Sequence, residues 1–121
     1  MLPEERDAAL LWDMLTYPRE IVDTAGAINF ERYMQDKTLR LATERRLEVI
    51  GEAARGVTRA FQEAHPEIPW RKNIAQRHVL AHEYGEIRQE TIFRVVTDHI
   101  PHLVEQLVRF VPSADHPDDV S

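Results

Sequence analysis

Apolar positions along the chain recur every three to four residues, the spacing of one face of a helix. From about Pro3 to Ala27 the stripe is Leu11, Met14/Leu15, Ile21/Val22 and Ala25. Pro3 suits a first-turn position, where its missing N–H costs nothing. Pro18 falls on the stripe and predicts a kink or break rather than a new domain. Gly26 and Asn29 read as a stop and a fresh N-cap, with a short helix from Phe30 to Gln35. Asp36 then caps the longest stripe, about Lys37 to Glu63, carried by Leu39, Ala42/Thr43, Leu47, Ile50, Ala53/Ala54, Val57 and Ala60/Phe61. His65-Pro66-Glu67-Ile68-Pro69 cannot continue that helix, because its two prolines remove donors and restrict their predecessors. A further helix is expected from near Trp70 to about Tyr84-Gly85, where glycine can take the left-handed C-terminal conformation. The last stripe, about Glu90 to Phe110, is Ile92/Phe93, Val96, Ile100, Leu103/Val104, Leu107 and Val111, with a kink expected at Pro101.

No strand pattern, glycine-rich phosphate loop or internal repeat interrupts this reading. The expected fold is all-α, an up-and-down bundle of four to five helices. With 121 residues, one domain over residues 1–111 is expected, and a chain of this size often gains burial by dimerising. Residues 112–121, with two Pro, three Asp and two Ser, read as a disordered acidic tail. The absence of cysteine removes disulfides, thiol nucleophiles and thiolate metal sites, and fits a cytoplasmic location. No signal pattern and no apolar run near the ~20 residues of a membrane span is present.

The net charge of −6 argues against a general nucleic-acid coat, but its distribution is uneven. Residues 1–36 carry three Arg against eight acids, whereas residues 37–77 carry nine Lys/Arg against five acids. A local basic site can therefore exist inside an acidic protein. The run Arg77-His78-Val79-Leu80-Ala81-His82-Glu83-Tyr84 closes that basic stretch. A guanidinium that grips phosphate oxygens, next to an imidazole that can move a proton, suffices in principle to break an RNA chain without a metal. On a helix Arg77 and His82 are displaced by about 140°, yet both can line one shallow groove at a helix end. His78 and His82, four apart on a helix face, resemble two metal ligands. No third ligand matches them, and His99 and His102 belong to a different helix, so no metal or other cofactor is expected. Glu48 and Glu52 beside Arg45 and Arg55 read as helix salt bridges, or as partners that order Arg77.

Taken together, Leu47-Glu48-Val49-Ile50-Gly51-Glu52-Ala53-Ala54, His65-Pro66-Glu67-Ile68-Pro69-Trp70-Arg71 and Arg77-x4-His82-x-Tyr84 resemble the HepT-like ribonuclease toxins of the HEPN superfamily. The resemblance covers roughly residues 8–110. It implies an all-α, HEPN-like bundle that dimerises, with two Arg-His motifs facing one cleft. It implies a metal-independent endoribonuclease, the toxin of a type VII toxin-antitoxin system. It also implies a nucleotidyltransferase antitoxin as partner, which adenylylates the tyrosine matching Tyr84. In that frame Arg77 and His82 are the catalytic pair, RNA is the substrate, and His78, Arg71 and Lys72 are candidate substrate-binding residues. Two departures stand out. His78 follows the motif Arg where a small polar residue is usual, and Gly85-Glu86 follows Tyr84 where many relatives place an aromatic. A non-catalytic helical subunit that docks a nucleotidyltransferase and binds nucleotide or RNA without cutting it is the alternative function.

Overall fold

The computed structural model describes residues 3–75 and 85–111. Among these residues the fold is all-helical, without a strand. Helix α1 spans Pro3–Asp23 and is followed by a 3-10 turn at Ala25–Ala27. Then come α2 (Phe30–Gln35), α3 (Lys37–Gly56) and α4 (Arg59–Ala64). Helix α5 covers 70–75 of the described residues. Helix α6 (Gly85–Arg94) runs through a π turn (Val95–His99) into α7 (Ile100–Leu107).

The caps read from the sequence are in place. Asn29 accepts the N–H of Arg32 at 2.8 Å, and Asp36 accepts that of Leu39 at 2.9 Å. Each satisfies a donor that the first helical turn leaves without a partner. Gly85 has φ +62°, the left-handed conformation expected of it. Helix α1 passes through Pro18 without a break.

The long stripe from Lys37 to Glu63 is not one helix. Val57, with φ −66° and ψ 139°, is extended and separates α3 from α4. Its cause lies 51 residues upstream, where the Asp7 carboxylate accepts both the backbone N–H of Thr58 (2.9 Å) and its hydroxyl (2.6 Å). Thr58 in turn caps α4 through Phe61 N–H at 3.3 Å. Gly56 permits the close approach of α1, since a Cβ there would stand 3.0 Å from Leu10 Cδ1.

The core sits between α1 and the two helices it packs on most, α3 and α7. Met14, Leu15, Ile21, Leu47, Ile50, Ile100, Leu103 and Leu107 are all buried there. Burying each such side chain contributes about 1.5–3 kcal/mol. Phe30, Tyr33 and Phe93 form an aromatic cluster between α2 and the end of α6, with ring centroids 5.1–6.3 Å apart. Burial, with Glu44 close by, pushes the Tyr33 phenol up, so it stays neutral and donates to Gln89 Oε1 at 2.9 Å. No helix among the described residues is long and apolar enough to cross a membrane.

Candidate functional site

Arg77, His78, His82 and Tyr84, the residues on which the sequence places the chemistry, lie outside the described residues. The structure does describe both flanks of that segment and the contacts that hold them. Upstream, the proline loop 65–69 turns the chain from α4 into α5. The Trp70 indole N–H donates to the His65 carbonyl at 3.0 Å, which closes this loop on itself. The His65 ring packs between Phe61 and Phe110, with centroids 4.5 and 4.4 Å away. From α7 and the residues just after it, Gln106 donates to the Glu67 carbonyl at 2.7 Å, and Arg109 pairs with the Glu67 carboxylate. The Arg109 guanidinium also lies 4.5 Å over the Phe110 ring, a cation–π contact. Five contacts, three through aromatic rings, one from an amide and one from a guanidinium, therefore fix where α5 begins.

Helix α5 presents two faces. Arg71 and Lys72 are exposed and, with Arg59 from α4, line an open groove of about 680 Å³ floored by Pro66, Ile68, Pro69 and Trp70. Arg59 is also 3.7 Å from Glu63, in a pair too exposed to immobilise either side chain. This groove gathers three cations against one acid. A larger groove of about 800 Å³ at the junction of α2 and α3 is lined by Glu31, Arg32, Asp36 and Lys37. Its two acids and two bases cancel, so it offers a polyanion no net attraction. Arg71 and Lys72 are thus placed together, and Arg59 joins them without having been expected from the sequence.

The inner face of α5 carries Asn73, which is fully buried. Its Oδ1 lies 2.7 Å from Nε2 of His99, itself 6% exposed. Burial, with the nearby Lys72 and His102, pushes the His99 imidazole down from its ordinary 6.5 to about 4. The ring is therefore neutral at pH 7, and its Nε2–H donates to Asn73. Asn73 Nδ2 is buried and has no hydrogen-bond partner among the described residues. A buried donor left without one costs roughly 1–3 kcal/mol.

His99 owes its inward position to a local irregularity. Pro101 has no N–H to offer the Thr97 carbonyl, so the α-helical ladder fails there. The chain widens into the π turn Val95–His99, and Ile100 N–H bonds to the Val95 carbonyl five residues back. His99 and Ile100 both end up buried. The kink expected at Pro101 is expressed in this form, and Pro101 is the sequence signal from which Asn73–His99 could have been suspected.

A pH dependence follows. The unfolded chain takes up a proton at His99 near pH 6.5, whereas the folded chain resists until about pH 4. Stability is therefore complete above the upper value and falls as the pH drops through that window. Between pH 7 and pH 5 the loss should be on the order of 1–2 kcal/mol. Urea unfolding of the parent and of His99→Gln at both pH values checks this. A parent that loses no more than the variant refutes it.

The other polar network holds the downstream flank. Arg88 pairs with Glu44 of α3, and Gln89 donates to the same carboxylate at 3.3 Å. Glu48 pairs with Arg45 at 3.1 Å on the exposed face of α3, as its spacing suggested. Among the described residues no group of three or more His, Asp or Glu could hold a metal.

Three comparisons bear on this arrangement. The profile of the family described as Ribonuclease HepT-like matches residues 14–110. A Methanocaldococcus jannaschii protein named as a candidate RNase is 28% identical over 99% of both chains. A Thermococcus cleftensis protein named as a probable ribonuclease HepT is 38% identical over 63% of this chain and 69% of its own. A Caldanaerobacter subterraneus protein, also named as a candidate RNase, is 32% identical over 72% and 78% respectively. No solved structure matches. The family profile spans the proline loop, the basic groove, Asn73, the Arg-His-Tyr run and the π turn, and the chain belongs to the HepT-like ribonuclease family.

Proposed function

We propose that this chain is a metal-independent RNA endonuclease, the toxin of a type VII toxin-antitoxin pair, and that Arg77 and His82 carry its chemistry. The observation that carries the reading is that Arg77-x4-His82-x-Tyr84 falls inside the stretch matched by the family profile. The Arg77 guanidinium grips two oxygens of the scissile phosphate and neutralises the charge that grows on them. One His82 takes the proton from the 2′-hydroxyl. The freed oxygen bonds to phosphorus, and the bond from phosphorus to the 5′-oxygen breaks. The leaving oxygen takes a proton from a second imidazole. Cleavage thus leaves a 2′,3′-cyclic phosphate and a 5′-hydroxyl.

One imidazole cannot serve as base and acid in the same event. A homodimer that brings two copies of His82 to one cleft supplies both. Leu41 on α3 and Ile87 on α6 are 57% and 66% exposed, apolar surface that a second copy can cover. RNA beyond the scissile bond is held by Arg71 and Lys72, whose groove supports the reading because phosphate contacts dominate affinity for nucleic acid. His78 remains a further candidate phosphate ligand. Tyr84 is the off switch. A nucleotidyltransferase antitoxin transfers AMP from ATP to its phenol, which gives up its proton as pyrophosphate leaves, and the added phosphate competes for Arg77 while its bulk fills the cleft.

Induction of the chain alone, and of Tyr84→Phe with the partner, tests both parts. Growth arrest by the chain alone is expected. The partner should relieve arrest by the parent but not by Tyr84→Phe, and an adenylate should appear by mass spectrometry on Tyr84. Growth unaffected by the parent favours the non-catalytic binding subunit. Relief of the Tyr84→Phe arrest, or an adenylate on another residue, removes the switch.

A further inference from the structure

We infer that His99 is a positioning residue for RNA cleavage, acting through Asn73 to fix the axial rotation of the helix that leads toward Arg77. The inference rests on the ribonuclease reading above. It starts from an expense that packing alone does not explain. Asn73 is fully buried, His99 is 6% exposed, and the Asn73 Nδ2 donor has no partner among the described residues. Two apolar side chains of similar volume would fill this place without that penalty.

A hydrogen bond supplies something that apolar contact does not. Apolar neighbours permit a helix to slide and rotate by small amounts, whereas a bond of 2.7 Å from ring to amide sets both distance and angle. The two ends of this bond are well chosen for that purpose. Asn73 stands four residues before Arg77, one helical turn by sequence. His99 stands at the end of the π turn, 26 residues from Asn73, on the run of chain whose Ile100, Leu103 and Leu107 anchor the core. π turns are rare and frequently mark functional positions. The bond therefore references the approach to Arg77 to a run of chain buried in the core. Lys72, the neighbour of Asn73, lines the basic groove, so the same rotation also aims a phosphate-binding side chain.

His99→Leu keeps the volume apolar and removes the bond, and His99→Gln offers a replacement donor. Steady-state cleavage of a short single-stranded RNA by the full chain is measured alongside thermal unfolding. For His99→Leu the expected result is a kcat lowered roughly tenfold with KM within about twofold, because small misplacements of reacting groups act on the chemical step. His99→Gln should recover most of that loss. The double variant Asn73→Leu/His99→Leu should be no slower than the slower single, since one bond is removed in either case. Asn73→Ser, too short to reach His99, carries the same expectation if His99→Leu does not fold. A kcat for these variants within about twofold of the parent, or a loss that His99→Gln does not recover, overturns the proposal while the ribonuclease reading stands. A parent chain that cuts no RNA overturns both.

Discussion

Arg77→Ala is expected to lower the rate of RNA cleavage by about 10³-fold, and His82→Ala by roughly 10²–10⁴-fold, with the fold of both variants intact. The first figure follows from the role proposed for Arg77, a charge that binds the phosphate most strongly when its oxygens are most negative. Loss of a single such group costs 10²–10³ in acyl transfer and more in phosphoryl transfer, where a cation is the main stabiliser. The second figure is the usual worth of a positioned acid or base. The two variants should differ in form as well as size. Arg77→Ala leaves the pH dependence of cleavage bell-shaped and lowers it throughout. His82→Ala should remove the bell, because the proposed mechanism assigns both limbs to the two copies of that imidazole. Single-turnover cleavage in a chelator across pH 5–9 reads both, and thermal unfolding shows that the bundle survives. If either variant keeps more than about a tenth of the parent rate, its residue is not the one assigned.

The helices were legible wherever local chemistry decided them. Asn29 and Asp36 bracket α2 within a few residues of each other, and both make the caps that their side chains suit. Gly85 adopts the positive φ that no other described residue has. The sequence misled where a distant partner decided. The apolar stripe runs unbroken across Val57 because Val57 remains buried and Phe61 partly so, although the backbone leaves the helix at Val57 and Thr58. Asp7 makes that break, and nothing near Thr58 in sequence announces it. The same limit applies to the site. Arg71 and Lys72 could be named from charge and position, but Arg59 joins their groove only because α4 folds back beside the proline loop. His99 looks like one polar residue in an apolar stripe. Its partner, 26 residues earlier, becomes visible only when the π turn carries it inward.

The ion pair between Glu44 and Arg88 makes the second large prediction, and its sign depends on how it is broken. The two side chains are 17% and 25% exposed, so both charges have given up most of their hydration. Glu44 also accepts from Gln89, which accepts in turn from the Tyr33 hydroxyl, so one carboxylate ties α2 and α6 to α3. Arg88 already has a buried Nε without a partner among the described residues. Glu44→Ala therefore leaves a half-buried guanidinium facing no charge and frees Gln89 as well. Breaking a fully buried pair from one side costs about 3–5 kcal/mol, and the residual exposure here reduces that to roughly 2–3 kcal/mol. For a domain of this size the thermal midpoint should fall by on the order of 10 °C. Removing both charges has a different consequence. Glu44→Leu/Arg88→Leu exchanges an expensive pair for apolar volume and should lie within about 1 kcal/mol of the parent. The cycle of Glu44→Leu, Arg88→Leu and the double should thus show a coupling of at least roughly 2 kcal/mol, measured by urea unfolding at neutral pH. A double variant as unstable as the sum of its singles would mean that Glu44 and Arg88 act separately. Among the described residues, helix α6 would then owe its seat to Ile92, Phe93 and the Gln89 hydrogen bonds, and not to a coupled charge pair with α3.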